Sequence, residues 1–350
     1  MYKNIIRPIL FLLKPEPIHH LIVFILRVFF KIPGVKAVLK RRYILKDPRL
    51  KRSFLGLEFS NPVGFAAGFD KNAEVFSEFS TFGFSFIEIG TVTPKAQPGN
   101  PKPRSFRIPD DQGLINRMGF NNKGVDYATQ KLKKKQRKII IGGNLGKNTL
   151  TPNEEALHDY IYGFEKLYPY VDYLVVNLSC PNIKDLDKLQ DKDSTLAILH
   201  QLSSIRQTKK TYKPILLKIS PDLTDEQLDD VVETYHRTSI DGVVATNTTR
   251  SRENLKTKAE KIQQIGDGGL SGAPLSQRST EIIRYLHKKS KGKMPIIGVG
   301  GIMTVKDALE KLDAGATLIQ VYTGFIYQGP AFVKKINQAI LKNSLDRLPG

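Results

Sequence analysis

The 350-residue sequence contains a single cysteine, no tryptophan and far fewer acidic than basic side chains. One cysteine excludes an intrachain disulfide and any metal cage built from cysteines, and it fits a reducing compartment. The six histidines are scattered, apart from the adjacent pair His19 and His20, and show no spacing typical of metal ligands. We therefore expect no metal site in this protein.

The shortage of acidic residues leaves a strongly basic chain. There are 54 Lys and Arg against 34 Asp and Glu, which gives a formal net charge of +20. Such an excess suggests a nucleic acid, a membrane surface or an anionic substrate as partner. Within residues 1–46 the basic residues are interleaved with the apolar runs ILFLL and LIVFILRVFF. This combination is typical of helices that lie in the interface of a membrane.

The apolar runs of this N-terminal segment are short. A membrane-spanning helix needs about 20 apolar residues, and Arg27 interrupts the longest run. A cleaved signal peptide would need small residues after its apolar part, and KIPGVKAVLKRR does not look like such a site. Two interpretations stay open. We favour peripheral attachment to the cytoplasmic side of the cell membrane, and the alternative is a pair of helices packed on the body of the protein.

From about residue 60 onward, short β-branched runs alternate with helical segments. The runs are almost continuously apolar, which is typical of strands buried on both faces of a parallel sheet. Two helical segments begin with capping signals, Thr224 three residues before Gln227 and Thr151 three residues before Glu154. The eight predicted strands lie at residues 62–68, 84–92, 138–145, 172–179, 214–220, 242–248, 295–301 and 318–324.

Eight strand–helix units predict an α/β fold, a (β/α)8 TIM barrel whose active site lies at the carboxyl ends of the strands. A doubly wound open sheet is the alternative. We assign residues 1–46 to a small helical extension, which provides the membrane contact, and residues 47–350 to the barrel as the catalytic domain.

Amide, hydroxyl and ammonium groups are concentrated at the predicted strand ends, with almost no carboxylate. Asparagine offers a donor and an acceptor together, so this set suits an anionic ligand that is rich in amide or carbonyl groups. The stretches GGLSG, GVGG and YTG place glycines where the last two strands meet their helices, and barrels often bind phosphate there. The strand-end residues are Lys71, Thr91, Asn144, Asn177, Lys218, Thr246, Asn247, Thr248, Gly300, Gly301, Tyr322 and Thr323.

The lone cysteine, Cys180, follows the fourth predicted strand in the stretch VVNLSCPN and so belongs to the rim of the predicted site. A free thiol has a pKa of about 8.5, which a neighbouring cation such as Lys71 or Lys218 would lower. No histidine lies in the strand-end stretches, so a Cys–His nucleophilic pair has little support. We interpret Cys180 as a general base rather than as a small buried hydrophobe.

Seven stretches, in the same order and over essentially the whole chain, resemble the signatures of the dihydroorotate dehydrogenase family. The basic, apolar extension is further similar to that of the class 2 branch, which is membrane-associated and reduces quinone. The seven stretches are AAGFDK (66–71), IEIGTVTPKAQPGNPKPRSFR (87–107), GLINRMGFNN (113–122), NLSCPN (177–182), ATNTT (245–249), GGLSG (268–272) and PIIGVGGI (295–302).

This resemblance implies an enzyme that oxidises (S)-dihydroorotate to orotate in the biosynthesis of pyrimidines (UMP), with FMN as cofactor and a membrane quinone as electron acceptor. Cys180 would remove the C5 proton while a hydride passes from C6 to flavin N5, and Lys218 would lie by the pyrimidine edge of the flavin. The implied FMN residues are Ala67, Gly68, Phe69, Asp70, Lys71, Thr91, Asn144, Asn177, Lys218, Thr246, Gly272, Gly301, Tyr322 and Thr323. The implied substrate residues are Lys71, Asn116, Arg117, Met118, Gly119, Phe120, Asn177, Asn182, Asn247 and Thr248, and the implied quinone residues are His19, Arg107 and Tyr322.

Two features depart from the class 2 pattern. The base is normally serine in class 2, whereas cysteine is typical of the soluble class 1 branch, and IKDLDKLQ after Cys180 replaces the usual class 2 stretch, which contains an arginine. One alternative is therefore the same reaction with a soluble acceptor such as fumarate or NAD. A second is a related FMN barrel such as a dihydrouridine synthase, which binds tRNA. A third is a barrel that only binds a phosphorylated metabolite. Because the basic residues accompany apolar ones near the N-terminus, we expect a membrane surface and no nucleic acid as partner.

Overall fold

Eight parallel strands close into a barrel, which confirms the predicted fold class. The structure is a computed structural model, and it describes residues 1–134, 139–179 and 192–346. Each of the eight predicted runs contains one barrel strand. The described strands are β1 (Arg52–Phe54), β2 (Leu57–Phe59), β3 (Val63–Phe65), β4 (Phe86–Val92), β5 (Ser105–Ile108), β6 (Gly113–Asn116), β7 (Ile140–Leu145), β8 (Tyr173–Asn177), β9 (Ile215–Ile219), β10 (Gly242–Ala245), β11 (Gly269–Gly272), β12 (Ile296–Val299) and β13 (Leu318–Val321).

The barrel consists of β3, β4, β7, β8, β9, β10, β12 and β13, which neighbour each other in the order of the chain. Their burial on both faces explains why their sequences are apolar throughout. Inside the barrel, glycines leave room for large rings. A Cβ added at Gly64 would come within 2.3 Å of the Phe86 ring, and one at Gly142 within 2.3 Å of the Tyr173 ring. The lower barrel is therefore a filled core rather than a channel.

Helices surround the barrel and connect its strands. The predicted cap at Thr224 is confirmed, because its hydroxyl accepts from Gln227 and the Gln227 side chain accepts in return. The predicted cap at Thr151 is wrong, because that hydroxyl donates to Asp159 instead. The described α-helices are α1 (Arg7–Leu12), α2 (Pro15–Phe29), α3 (Val35–Tyr43), α4 (Phe76–Phe79), α5 (Val125–Lys134), α6 (Ala156–Leu167), α7 (Lys192–Gln207), α8 (Asp225–Thr238), α9 (Ala259–Ile265), α10 (Ser276–Lys289), α11 (Val305–Asp313), α12 (Thr323–Gln328) and α13 (Phe332–Asp346).

Two small antiparallel sheets cover the ends of the barrel. The hairpin β1–β2 closes the amino end, where Phe59 packs edge-on against Phe86 with ring centroids 5.2 Å apart. Strands β5, β6 and β11 form a second sheet beside the carboxyl end. The stretch GGLSG lies in this sheet, as β11, and follows the sixth barrel strand. Our expectation that it forms a turn between one of the last two barrel strands and a helix is wrong.

The helix α2 joins the N-terminal segment to the barrel. Its Ile18 and Leu26 are buried, whereas Phe24 on the outer side is 62% exposed. A buried ion pair fixes its first turn, with Arg104 Nη2 2.7 Å from Glu16 Oε1. In the described residues, no single helix is long and apolar enough to cross a membrane. The segments Tyr2–Leu12 and Pro15–Phe29, which are bent by 118° from each other, have the required length and composition only as a pair.

Candidate active site

A cavity of about 540 Å³ opens at the carboxyl ends of the strands and extends under α2. This volume lies in the range of pockets that hold cofactors and small substrates. The cavity has a polar part at the strand ends and an apolar part beside the helix. The polar part is lined by Thr91, Asn177, Lys218, Thr246, Asn247 and Thr248, and the apolar part by Ile18, Ile22, Val23, Leu26 and Phe325.

The asparagines at the strand ends form one hydrogen-bonded chain. The Thr91 hydroxyl donates to Asn144 Oδ1 at 2.6 Å and accepts from Asn177 Nδ2 at 3.0 Å. Asn247 Nδ2 donates to Asn177 Oδ1 at 3.3 Å and to the carbonyl oxygen of Ser179 at 3.1 Å. These side chains come from β4, β7, β8 and the end of β10, so the closed barrel brings them together. Asn144 is fully buried and lies behind the cavity wall.

Below this chain lies a buried carboxylate that the sequence analysis did not include. Glu88 Oε1 accepts from Asn144 Nδ2 at 2.7 Å and lies 3.5 Å from Lys218 Nζ. Glu88 Oε2 accepts from Gln320 Nε2 at 2.7 Å. The signal for it was present, because a glutamate within the run FSFIEIGTV is a charge in an otherwise apolar strand. The buried ammonium group of Lys218 therefore has the buried carboxylate of Glu88 as its counter-charge.

Glycines shape the wall on the side of β11, β12 and β13. Gly301 has a φ of +68°, and a Cβ added there would come within 2.2 Å of Ser276 Cα. Gly272 has a φ of +103°, and its Cβ would come within 2.3 Å of a backbone oxygen. Beside them the hydroxyls of Ser271 and Thr323 lie 2.9 Å apart. This wall of backbone and hydroxyl groups fits a phosphate, which needs close approach of N–H donors.

The segment that follows β3 gives the cavity a third wall. Residues 67–71 all line it. The Asp70 carboxylate accepts from the backbone N–H groups of Glu74 and Val75, at 2.6 and 2.8 Å, and so fixes the turn. The Tyr322 ring lies parallel to the Phe65 ring, with centroids 5.9 Å apart. Burial raises the pKa of Tyr322 to about 12, so its hydroxyl stays protonated at neutral pH.

The predicted substrate residues lie mostly at the cavity, with one clear exception. Lys71 Nζ donates to Asn121 Oδ1 at the cavity wall. The guanidinium of Arg117 points away from the cavity and donates to the carbonyls of Ile265 and Asp267. It holds the loop that carries α9 and does not line the cavity. Those that do line it are Lys71, Asn116, Met118, Gly119, Phe120, Asn177, Asn247 and Thr248.

His19 lies at the border between the polar and the apolar part of the cavity. Its ring packs edge-on against Phe69, with centroids 4.5 Å apart. Burial, and then the charges of Lys71 and His20, lower the pKa of His19 to about 4. The imidazole is therefore neutral at physiological pH.

Arg107 connects the second sheet with the N-terminal helices. Its guanidinium donates to the carbonyl of Leu13 at 2.5 Å and lies 4.4 Å from the centre of the Phe11 ring. Burial lowers the pKa of Arg107 from its usual high value, which still leaves an arginine charged. His19, Arg107 and Tyr322, the three predicted quinone residues, all line the same cavity.

Cys180 and Asn182 lie outside the described residues, so their predicted roles stay predictions. Ser179, the residue before Cys180, is described and buried. Its hydroxyl donates to the Lys218 carbonyl at 2.8 Å and accepts from Asn247 at 3.2 Å.

Comparison with known proteins gives a consistent result. The family model described as dihydroorotate dehydrogenase matches residues 49–343. A protein of Christiangramia forsetii named dihydroorotate dehydrogenase (quinone) is 56% identical over 99% of this chain and 100% of its own length. A protein of Idiomarina loihiensis with the same name is 46% identical over 95% and 98%.

The solved structures agree with these sequences. The dihydroorotate dehydrogenase of Eimeria tenella, in complex with ferulenol, superposes with a TM-score of 0.85 and 36% identity, covering 95% of this chain and 92% of that one. Its ligand-free form gives the same TM-score. The match extends over the barrel and most of the N-terminal segment. This chain belongs to the dihydroorotate dehydrogenase family, in the branch whose members are named for quinone.

Proposed function

We propose that the protein oxidises (S)-dihydroorotate to orotate in de novo pyrimidine biosynthesis, with FMN as its cofactor and a membrane quinone as electron acceptor. The observation that carries the proposal is that one continuous cavity joins two environments. At the strand ends it offers amides and ammonium groups, and beside α2 it offers an apolar passage. A polar substrate and an apolar acceptor would thus reach the same cofactor from different sides.

The FMN phosphate would bind at the glycine wall around Gly272, Gly301 and Thr323, where a side chain in place of either glycine would collide with backbone. The residues that would hold its ring system are Lys218, Thr246, Ala67 and Gly68, which line the same cavity. When bound, the flavin would supply the acceptor for the hydride and the source of electrons for quinone. The protein contributes position and a polar, enclosed environment.

The substrate would bind between Lys71 and the asparagine chain. The ammonium group of Lys71 suits its carboxylate, and the amides of Asn116, Asn177 and Asn247 offer donors and acceptors for its ring amides. Cys180 would take the C5 proton on its sulfur while the hydride leaves from C6. The supporting observation is the position of Ser179, which brings the start of this loop against Asn247.

The quinone would enter through the apolar part of the cavity, beside Ile22, Val23 and Leu26 of α2. His19 and Arg107 supply polar groups at its inner end. A neutral imidazole can donate one hydrogen bond to a quinone oxygen, and Arg107 adds a positive charge beside the aromatic ring of Phe11.

The N-terminal helices would attach the protein to the cytoplasmic side of the cell membrane. Large apolar side chains are exposed there, including Leu12 at 83%, Ile9 at 60% and Phe24 at 62%. Basic residues such as Arg41 and Arg42 lie in the same segment and suit anionic lipid headgroups. This placement would let quinone move from the bilayer into the cavity directly.

A flavin spectrum tests the proposal. The purified protein should be yellow, should bleach with dihydroorotate in the absence of oxygen, and should recover its colour with a short-chain quinone. Recovery with fumarate or NAD instead would assign a soluble acceptor. A flavin that dihydroorotate cannot bleach, in a protein that retains tRNA at moderate salt, would favour a dihydrouridine synthase.

A further inference from the structure

We propose that Glu88 is a positioning residue of this active site, which both partners the charge of Lys218 and sets the direction of the hydrogen-bonded chain that ends at Asn247. The inference rests on the proposed FMN and dihydroorotate sites and deepens them. It concerns a carboxylate in the middle of β4, one layer below the residues that line the cavity.

Glu88 is fully buried and is held from several sides. Asn144 and Gln320 each donate to one of its oxygens at 2.7 Å, and Lys218 Nζ lies 3.5 Å from Oε1. The Lys218 side chain is itself only 7% exposed. Removing one member of a buried ion pair leaves the other charge uncompensated. The two residues therefore have to be considered as a unit.

The carboxylate decides which way each amide of the chain faces. A carboxylate only accepts hydrogen bonds, so Asn144 must turn its NH₂ group toward Glu88 and its oxygen toward Thr91. The Thr91 hydroxyl then donates to that oxygen and is left to accept from Asn177 Nδ2. Asn177 consequently presents its oxygen to Asn247 Nδ2. The orientation of two proposed substrate residues thus follows from one buried acceptor.

The hydrogen-bonded chain continues from Asn247 to one backbone N–H group. With its NH₂ group used by Asn177 and Ser179, Asn247 accepts the Thr248 N–H through Oδ1 at 2.9 Å. A reversed Asn144 would place two acceptors or two donors opposite each other at one link of the chain. A buried polar group without a partner lowers the stability of the folded protein. The donor-to-acceptor direction is therefore the same at every link of the hydrogen-bonded chain.

Glu88 also moderates the charge that Lys218 presents to the cavity. Charges interact more strongly in a low-dielectric interior than in water. A cation beside the flavin favours the negative charge that reduction adds, and a carboxylate 3.5 Å from that cation opposes the effect. Glu88 should therefore hold the midpoint potential of the flavin lower than Lys218 alone would set it.

Two substitutions separate the two roles. Glu88→Gln removes the charge but keeps an oxygen that can accept from Asn144. Gln320 can adapt, because its Oε1 makes no hydrogen bond among the described residues and could accept from the new amide after a flip. Glu88→Leu removes both the charge and the acceptor. A matched control is Glu78→Gln, which alters a buried glutamate of α4 that does not line this cavity.

Two quantities are measured. The first is the midpoint potential of the bound flavin, determined with a reference dye, and the second is the dissociation constant of orotate, determined from the flavin spectrum. Glu88→Gln should raise the potential by about 30 mV, which is a tenfold change for two electrons, and change orotate affinity less than threefold. Glu88→Leu should shift the potential in the same direction and weaken orotate at least tenfold. Glu78→Gln should change neither.

Thr91→Val provides a second route if the Glu88 variants do not fold. It interrupts the hydrogen-bonded chain above Glu88 by removing the hydroxyl that links Asn144 to Asn177, so orotate should bind at least tenfold more weakly. Unchanged potential and unchanged orotate affinity in both Glu88 variants, or unaltered orotate affinity in Thr91→Val, would overturn the inference. The potential needs no dihydroorotate, so a wild type that dihydroorotate fails to reduce contradicts the proposed function instead.

Discussion

Ionisable side chains at the barrel mouth lie in contrasting environments, and these determine what each can do. Lys218 is buried beside a carboxylate, whereas Lys71 is half-buried and hydrogen-bonded to Asn121. The first is suited to a fixed electrostatic role beside a cofactor. The second can contact a substrate that enters and leaves.

The thiol of Cys180 leads to the first residue-scale prediction. A thiol ionises far more easily than a hydroxyl, so flavin reduction by dihydroorotate should depend on pH in a lower range for the wild type than for Cys180→Ser. Cys180→Ala should slow this step by about 100-fold or more. Stopped-flow absorbance of the flavin measures both.

Reoxidation by quinone serves as the internal control for Cys180, because the base acts only in the first half-reaction. Its rate should be the same in all three proteins. Coinciding pH profiles of wild type and Cys180→Ser, or a mild effect of Cys180→Ala, would show that the thiol is not the base and only packs in the loop.

His19 gives a second residue-scale prediction. Burial, with the charges of Lys71 and His20, lowers its pKa to about 4, so the ring is neutral throughout the range from pH 6 to pH 9. Reoxidation of the flavin by quinone should therefore show no inflection near pH 6.5. An inflection there that disappears in His19→Gln but persists in His20→Gln would show that His19 titrates normally and would contradict this account.

At the scale of elements, α2 depends on the buried pair between Glu16 and Arg104. Burial opposes ionisation of Glu16, but the hydrogen bonds and charge of Arg104 outweigh it and lower the pKa of Glu16. Because the folded-state pKa lies below the unfolded one, the stabilisation is complete above the ordinary carboxyl pKa of about 4.3. It is lost as the pH falls through the lower folded value.

Glu16→Ala should therefore release α2 at neutral pH, since it leaves Arg104 buried without its partner. We expect a loss of about 3 kcal/mol in the free energy of docking, seen as faster proteolysis between α2 and α3. Glu58→Ala, on the exposed side of β2, is the control and should be cut at the wild-type rate. Equal cleavage of the two variants would show that apolar contacts of Ile18 and Leu26 hold the helix without the pair.

Sequence periodicity was sufficient for the barrel strands because each is a continuous apolar run. It missed β1, β2, β5, β6 and β11, whose sequences carry no such run. Strand ends could be assigned to the site because parallel strands end on one side of a barrel. The contacts of Glu88 and the direction of Arg117 could not be derived in this way. The first needs the register of β4 against its neighbours, and the second depends on a loop that folds against α9.

For the whole molecule, the distribution of charge and apolar surface says more about its binding partner than the total net charge of +20 does. Among the described residues, the exposed large apolar side chains are concentrated before residue 46, and elsewhere they are Leu150, Tyr162 and Tyr212. A protein that only packed these helices on its body would bury more of that surface. The asymmetry supports the proposed contact of this face with a bilayer, beside the apolar part of the cavity.

This face yields a whole-molecule prediction for vesicle binding. Burying a leucine or phenylalanine side chain contributes about 1.5–3 kcal/mol, so Leu12→Ser and Phe24→Ser should each weaken binding to vesicles roughly tenfold. Basic residues near an anionic surface add about 1 kcal/mol each, so phosphatidylglycerol vesicles should bind the wild type more tightly than phosphatidylcholine vesicles, and salt should reduce the difference. Tyr212→Ser removes an equally exposed ring before β9, at the amino end of the barrel, and should leave binding unchanged. Equal retention of all variants on both lipids, measured by co-sedimentation, would rule out membrane attachment through this face.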